Sequence, residues 1–316
     1  MALYRTYSDY LKEKYNEKVY KIPIALPVTC PNRDGTLDSD GCIFCGSIRA
    51  DYETKAVGME ITRQIVRSIS HVGPKYKAKK FIAYFLNFTN TYMPLSRFRY
   101  CVEEACGRPD IVGLAVSTRP DCIHESYLEV LREAQGKYGT NITVELGLQS
   151  VNPHTLLKIG RCHTVAEFID AALQIGRYHF DLCTHIIADL PWDDRIDLEE
   201  AAKLVSVLPV TEIKIHSLYI IKGTKLAKMY EKGDIKLLPP EEYAERVVLI
   251  LSMLRPDIVV QRIVGRASAN TLSVNGGRPW WEVKEYIEKL MRNRHIQQGS
   301  ACNYLHGAAV RRFLHE

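Results

Sequence analysis

Residues 142–149 read ITVELGLQ. In an extended chain, successive side chains point to opposite faces. Ile142, Val144, Leu146 and Leu148 therefore share one face, and Thr143, Glu145, Gly147 and Gln149 share the other. A strand of a parallel sheet covered by helices on both sides reads as apolar on both faces. Two further runs depart from that pattern in the same way. Ile213 and Ile215 oppose Lys214 and His216, and Cys183 shares with His185 a face that continues to Asp189. Burying so many polar groups is costly unless they find partners. A barrel lumen that holds a ligand supplies partners. Polar groups that satisfy one another, or that lie near strand ends, are the plainer account.

Outward from this stretch, β-branched and aromatic runs alternate with helical patterns. The expected strands are 20–28, 81–88, 111–117, 142–149, 180–188, 212–220 and 257–263. In 164–177, Val165, Phe168, Ala172 and Ile175 recur at helical spacing. Thr164 and Glu167 predict a capping box at its start, Ser126 and Glu129 predict another, and Pro239 and Pro240 precede a start at Glu241. Strand followed by helix, repeated, gives a parallel sheet, either open and doubly wound or a full or partial barrel. The polar faces favour the barrel: an α/β fold, a partial (β/α) TIM-like barrel of six to seven parallel strands with a C-terminal helical extension. The expected boundaries are an N-terminal extension over 1–18, the barrel over 19–265, and a C-terminal extension over 266–316 with a main helix at 281–293.

The 316-residue chain is 46% hydrophobic and 25% charged, with net charge +5. These values fit a globular protein and permit nucleic-acid contact without requiring it. The first residues, MALYRTYSDYLKEKYNEK, are too polar for a signal peptide, and no run approaches a membrane span, so a cytoplasmic protein is expected. Nine cysteines in a reducing compartment are expected to be free, ligating or catalytic.

Three of the nine stand together in TCPNRDGTLDSDGCIFCG, residues 29–46. Cys30 follows the first strand, at the end where barrels carry their function. Cys42 and Cys45 form a C-x2-C pair, and Gly35, Gly41 and Gly46 let the loop fold back. A structural zinc site wants four ligands, and no neighbouring residue supplies the fourth. A calcium loop would need an acid at 36 and a Glu at 47, where the chain has Thr36 and Ser47. A 4Fe–4S cluster held by three thiolates keeps one iron open to a substrate.

Cys42-Ile43-Phe44-Cys45, with Cys30 ahead of it, resembles the cluster loop of the radical S-adenosylmethionine (SAM) superfamily. The wide first gap resembles the branch of the Elongator catalytic subunit, a wobble-uridine tRNA modification enzyme. Thr89-Asn90-Thr91, Ser117-Thr118-Arg119-Pro120-Asp121, VELGLQS at 144–150, GRCHTV at 160–165, HIIADLP at 185–191 and LYIIKGTKL at 218–226 follow in that branch's order.

The resemblance implies that Cys30, Cys42 and Cys45 hold a 4Fe–4S cluster whose open iron chelates SAM. Phe44 would contact the adenine. Thr89, Asn90 and Thr91 stand where the family often has Gly-Gly-Glu for the SAM ammonium, so the usual carboxylate is missing. Arg119 would hold the SAM carboxylate or pair with Asp121. Glu145 and Gln149 would suit ribose hydroxyls. His185, Lys214, His216 and Arg262 would line the cavity or meet an anionic substrate, with Lys214 or Arg262 holding a carboxylate. The other six cysteines show no cluster spacing.

The implied partners are tRNA and an electron donor such as flavodoxin or ferredoxin, with no membrane. The implied reaction converts a carboxymethylaminomethyl group on wobble uridine to aminomethyl. The chain past the barrel is too short for Elongator's acetyltransferase domain. Basic-aromatic segments at 4–7, 14–15, 75–80, 292–294 and 311–312 could bind phosphates and stack bases. A radical SAM enzyme acting on a small metabolite and a zinc-stabilised RNA-binding protein are the rival readings.

Overall fold

The computed structural model describes residues 2–46, 59–266 and 270–313. The side chains of Arg311 and Arg312, and Ser47 of the calcium comparison, lie outside the described residues. The strands are β1 (Val19–Ile24), β2 (Lys80–Phe85), β3 (Ile111–Thr118), β4 (Asn141–Gln149), β5 (Asp181–Ile187), β6 (Glu212–His216), β7 (Ile220–Ile221), β8 (Val259–Arg262) and β9 (Thr271–Ser273). Seven of them form one sheet in the order β1-β2-β3-β4-β5-β6-β8, every pairing parallel. A doubly wound sheet reverses direction at its first strand. This order runs one way from edge to edge, so the sheet curls into the expected partial barrel. Strand 212–220 is shorter than predicted: β6 ends at His216, and β7 leaves to pair antiparallel with β9.

The helices that place the site are α1 (Tyr7–Tyr15), α2 (Ile61–Tyr76), α3 (Leu95–Cys106), α4 (Glu125–Tyr138), α5 (Pro153–Lys158), α6 (Val165–Arg177), α7 (Arg195–Val207), α8 (Lys225–Lys232), α9 (Pro240–Met253) and α10 (Trp280–Asn293). Thr164 and Glu167 close the predicted capping box on α6. The box predicted at Ser126 does not form. His124 caps α4 instead, accepting from the Ser126 N–H, and Glu129 turns to Arg132 and Tyr178. Helix α9 takes Pro240 as its first residue, where a missing N–H costs nothing.

Side-chain parity divides the sheet as the sequence predicts. Ile22, Leu114, Ile142, Val144, Leu146, Leu182 and Ile213 join the core under the helices. A second core forms around Ile43, Leu156, Ile159, Leu218, Ile220 and Leu226, beside the cysteine loop. Residues 1–18, expected as an extension, contribute to the barrel itself. Thr6 bridges Val260 of β8, and Leu11 and Tyr7 of α1 pack on Val19, Ile82, Tyr84 and Ala115 inside the curl. Tyr10 and Lys14 reach Asp181 at the start of β5, at 3.3 and 2.9 Å. Helix α1 thus closes the N-terminal mouth of the barrel, opposite the cysteines. Leu11→Ala should lower unfolding stability by about 2–5 kcal/mol, the usual range for a buried leucine truncation. Equilibrium urea unfolding measures it, and a loss below about 0.5 kcal/mol would mean that α1 is a dispensable tail.

Candidate active site

The cysteine loop is built from its backbone outward. Arg33 N–H donates to the Cys30 carbonyl at 2.8 Å, Leu37 N–H to Pro31 at 2.9 Å, and Cys45 N–H to Cys42 at 2.9 Å. Gly41 has φ +75°, and a Cβ there would meet the Arg33 side chain at 3.0 Å, so the close turn before Cys42 needs glycine. Ile43 fastens the loop to the second core: its N–H donates to Ile159 at 3.1 Å, and its carbonyl accepts from Leu226 at 2.9 Å. The Arg33 guanidinium ties down Cys45 and Gly46 through their carbonyls, both at 2.9 Å, and lies over the Phe88 ring.

Cys30, Cys42 and Cys45 line one cavity at the C-terminal ends of the strands. Phe44, Thr89, Arg119, Gln149 and His185 line it with them, so the structure brings eight of the expected site residues together. Arg119 forms one of its two expected contacts, the pair with Asp121. Its Nε and Nη2 grip Asp121 at 2.8 and 2.7 Å, and Nη2 also donates to the Arg161 carbonyl at 2.8 Å. Nη1, buried, has no hydrogen-bond partner, and neither has the buried Thr89 hydroxyl. Burial alone would pull the Arg119 pKa down, but Asp121 more than offsets it and the pKa rises. Three sulfurs, an unpaired cationic donor and an unpaired hydroxyl in one cavity fit a cluster and a zwitterionic amino-acid ligand.

Asn90 and Thr91 stand behind that wall. The Asn90 amide donates to the carbonyls of Phe85, Asn87 and Ser117 at 2.8–3.0 Å, and its own carbonyl oxygen is buried without a partner. The Thr91 hydroxyl meets Thr118 and the Cys122 carbonyl, both at 2.6 Å. These two shape the loop that presents Thr89.

Three other expected residues lie away from the cavity wall. Glu145 is fully buried on the concave face, and its oxygens accept from Lys21 of β1, Lys214 of β6 at 2.5 Å and His185 of β5 at 2.9 Å. A carboxylate so engaged has little left to offer a ribose. Lys214 is spent on Glu145 and on the Tyr84 hydroxyl at 3.3 Å rather than facing a substrate carboxylate. Arg262 ends β8 exposed, at the rim.

The charges of this cluster follow from its contacts. Burial would raise the Glu145 pKa, but Lys21 and Lys214 outweigh it and hold the carboxyl well below its usual range. Burial brings Lys214 down to about 8, with Glu145 opposing. Burial and then Lys214 bring His185 down to about 4. An ionised carboxylate only accepts, so neutral His185 carries its proton on Nε2, and its Nδ1 accepts from His216 Nε2 at 3.4 Å. Glu145, Cys183 and His185 offer ligand atoms within 4.8 Å of one another, but a cation there would face two ammonium groups.

Sequence reasoning passed over Arg161, Asn32 and His163. Arg161 is 7% exposed and spans three groups. It donates to Cys42 Sγ at 3.4 Å, to the Gly147 carbonyl at 2.8 Å and to His163 Nε2 at 3.0 Å. Burial and the two arginines lower the His163 pKa to about 3, so the ring accepts as a neutral imidazole. A Cβ on Gly147 would sit 3.0 Å from the Arg161 guanidinium, which accounts for glycine inside a strand. GRCHTV carried the signal, as an arginine two residues from a histidine in the link between α5 and α6.

Replacing Glu145 with Gln leaves two ammonium groups without their counter-ion and should cost about 3–5 kcal/mol at neutral pH. The Glu145 pKa is lowered on folding from 4.5, so its contribution is complete above that pH and is lost as the pH falls through the folded value. In urea unfolding, the deficit of Glu145→Gln should therefore shrink as the pH drops below 4.5; a deficit that stays constant with pH would contradict the ionised network.

Known proteins bear on this geometry. Residues 29–205 match the model of the radical SAM superfamily, and residues 210–293 match the radical SAM C-terminal domain. YtqA of Bacillus subtilis is 35% identical over 302 residues, covering 94% of this chain and 92% of YtqA. Elongator complex protein 3 of Drosophila melanogaster is 28% identical over 161 residues, covering 49% of this chain and 28% of that protein. The solved Elp3 of the archaeon Methanocaldococcus infernus superposes with a TM-score of 0.61 at 18% identity, over 89% of this chain and 64% of that one. With the family model matching more than half of the residues, on a half-barrel whose three cysteines share one cavity, the chain belongs to the radical SAM superfamily, whose cofactors are a 4Fe–4S cluster and SAM.

Proposed function

We propose that this radical SAM enzyme modifies tRNA at the 5-substituent of wobble uridine, converting a carboxymethylaminomethyl group to aminomethyl. When bound, the cluster and SAM would supply the oxidant, SAM being cleaved to methionine and 5′-deoxyadenosine as the N–CH2 carbon of the substituent loses a hydrogen atom and one electron, and water would then release the two carboxymethyl carbons as glyoxylate and leave the aminomethyl amine. The convergence of Cys30, Cys42 and Cys45 on one cavity carries the radical chemistry. The likeness to the Elongator protein supports the tRNA substrate.

This chain's residues take the following parts. The three thiolates hold the cluster. Arg119 Nη1 meets the SAM carboxylate, the Thr89 hydroxyl accepts from its ammonium, and Phe44 packs on the adenine from within the loop. Gln149 faces the ribose. Its backbone, at φ +72°, is held in the left-handed region, which turns the chain out of β4 at the cavity. His185, a neutral imidazole fixed by Glu145, borders the cavity between cofactor and substrate. Arg262 at the rim is the cation for the substrate carboxylate, since Lys214 is committed to Glu145. Lys214 takes the role of fixing that carboxylate and, through it, His185.

The basic surface narrows the RNA contact. Tyr4, Arg5, Lys14 and Arg294 are engaged within the fold, with Glu288, Asp257, Asp181 and Glu245. Lys75, Lys77 and Lys79 are exposed beside the Tyr20–Tyr76 stack, whose rings lie 4.5 Å apart. Cations around aromatic faces suit a nucleic acid. A flavodoxin or ferredoxin supplies the electron.

Anaerobically purified protein should be brown, bind iron and release 5′-deoxyadenosine from SAM under reductant. Cys42→Ala should lose all three signals, and a variant that keeps iron and SAM cleavage would refute the ligand assignment. Nucleoside mass spectrometry of bulk tRNA treated with enzyme, SAM and reductant should show carboxymethylaminomethyluridine falling and aminomethyluridine rising. Unchanged tRNA with SAM cleavage intact would point to a small metabolite instead.

A further inference from the structure

Arg161 is a buried guanidinium without a carboxylate partner among the described residues. Its contacts are a backbone carbonyl, a neutral imidazole and the sulfur of Cys42. A buried cation is costly unless an anion compensates it. Of these three groups, the sulfur alone can carry negative charge. Asn32, also fully buried, adds a second donor: its amide lies 3.6 Å from the same sulfur and is locked by the carbonyls of Gly160 at 2.7 Å and Arg161 at 3.1 Å. The donors therefore cannot swing away when Cys42 is occupied. Ile43, next along the loop, is tied to Ile159, so sulfur and donors rest on one frame.

We propose that Arg161, assisted by Asn32, is a positioning residue for the cluster: it donates to the Cys42 thiolate and raises the potential at which the cluster takes up its electron. This rests on Cys42 being a cluster ligand. The electron entering the cluster adds negative charge to the iron–sulfur core, and donors to its sulfurs stabilise that charge. A fixed cation at one sulfur makes the stabilisation larger and directs it to one corner of the cluster.

The test is an EPR-monitored redox titration of the holoprotein without SAM, using dithionite as reductant. Iron count and visible absorption come first; a parent protein without a cluster would defeat the ligand assignment itself, separately from this proposal. In Arg161→Gln the equilibrium constant for reduction should fall roughly tenfold, ~59 mV lower for one electron. Arg161→Lys, which keeps the charge but not the fork, should recover part of the shift. A residue that serves only Gly147 and His163 would lower the melting temperature and leave the midpoint unmoved, and that result with an intact cluster overturns the proposal. Should the Gln variant fail to assemble its cluster, pulsed EPR of the reduced parent labelled with 15N-arginine decides. Because Arg33 and Arg119 also line the cavity, a coupling that Arg161→Lys loses supports the contact, and its absence, or its survival in Arg161→Lys, overturns it.

Discussion

The architecture depends on neutralising one buried carboxylate. Glu145 lies on the central strand of the sheet with no exposed surface, and its two lysine partners come from strands that are not its neighbours. Lys21 belongs to β1, three positions away in the sheet order. In a flat sheet those strands would lie ~14 Å apart, at roughly 4.8 Å per step. A lysine reaches the carboxylate only if the sheet curls, and the same ammonium lies 3.4 Å from Gln261 on the far edge strand β8. The ion pairs thus record the curvature and also resist its opening. Flattening the sheet would separate a buried charge from its counter-ions. A buried ion pair is not a source of net stability compared with apolar packing, but breaking one is expensive. That asymmetry makes such a network a determinant of shape.

Curvature in turn makes the site. The C-terminal ends of β1 to β5 and the loops after them converge only because the strands do, and they bring Cys30, Thr89, Arg119, Gln149 and His185 to one wall. The cysteine loop cannot fix itself, since it is polar and short of apolar residues. Ile43 supplies the anchor by entering the second core, while Arg33 and Arg161 hold its flanks through carbonyls and sulfur. The opposite mouth is shut by α1, so the concave charges remain dry on one side and meet the cavity on the other.

The sequence shows the strands and their parity because alternation is local and the period of two tolerates no slippage. It shows the cysteine loop because ligand chemistry restricts residue type. Thr164 reveals its cap, but Ser126 misleads, since a histidine two residues earlier offers an equally good acceptor. What alternation cannot give is the partner across the curl. Lys21 sits in an otherwise ordinary strand, and nothing near it indicates that its ammonium ends on Glu145. Lys214 and Glu145 are both legible as lumen residues, yet the alternation alone suggests that each faces a ligand rather than the other. Arg161 and Asn32 escaped because their meaning lies in a meeting between residues far apart in the chain.

The charge balance beneath the cavity explains why these polar groups coexist there. Lys21 and Lys214 face one ionised carboxylate, Glu145. The nearby carboxyl of Glu212 is lifted by burial to about 7, and burial keeps the Cys183 thiol protonated. His185 is neutral. Below pH 7, where Glu212 takes up its proton, two ammonium groups stand against one carboxylate on the concave face. Arg161 adds positive charge at the cysteines, while Arg119 is largely balanced by Asp121. A field of that sign favours an electron arriving at the cavity and an anionic group entering from the rim. It disfavours a metal dication at Glu145, Cys183 and His185. The charge on this face is thus set by which lysines the curl brings to Glu145.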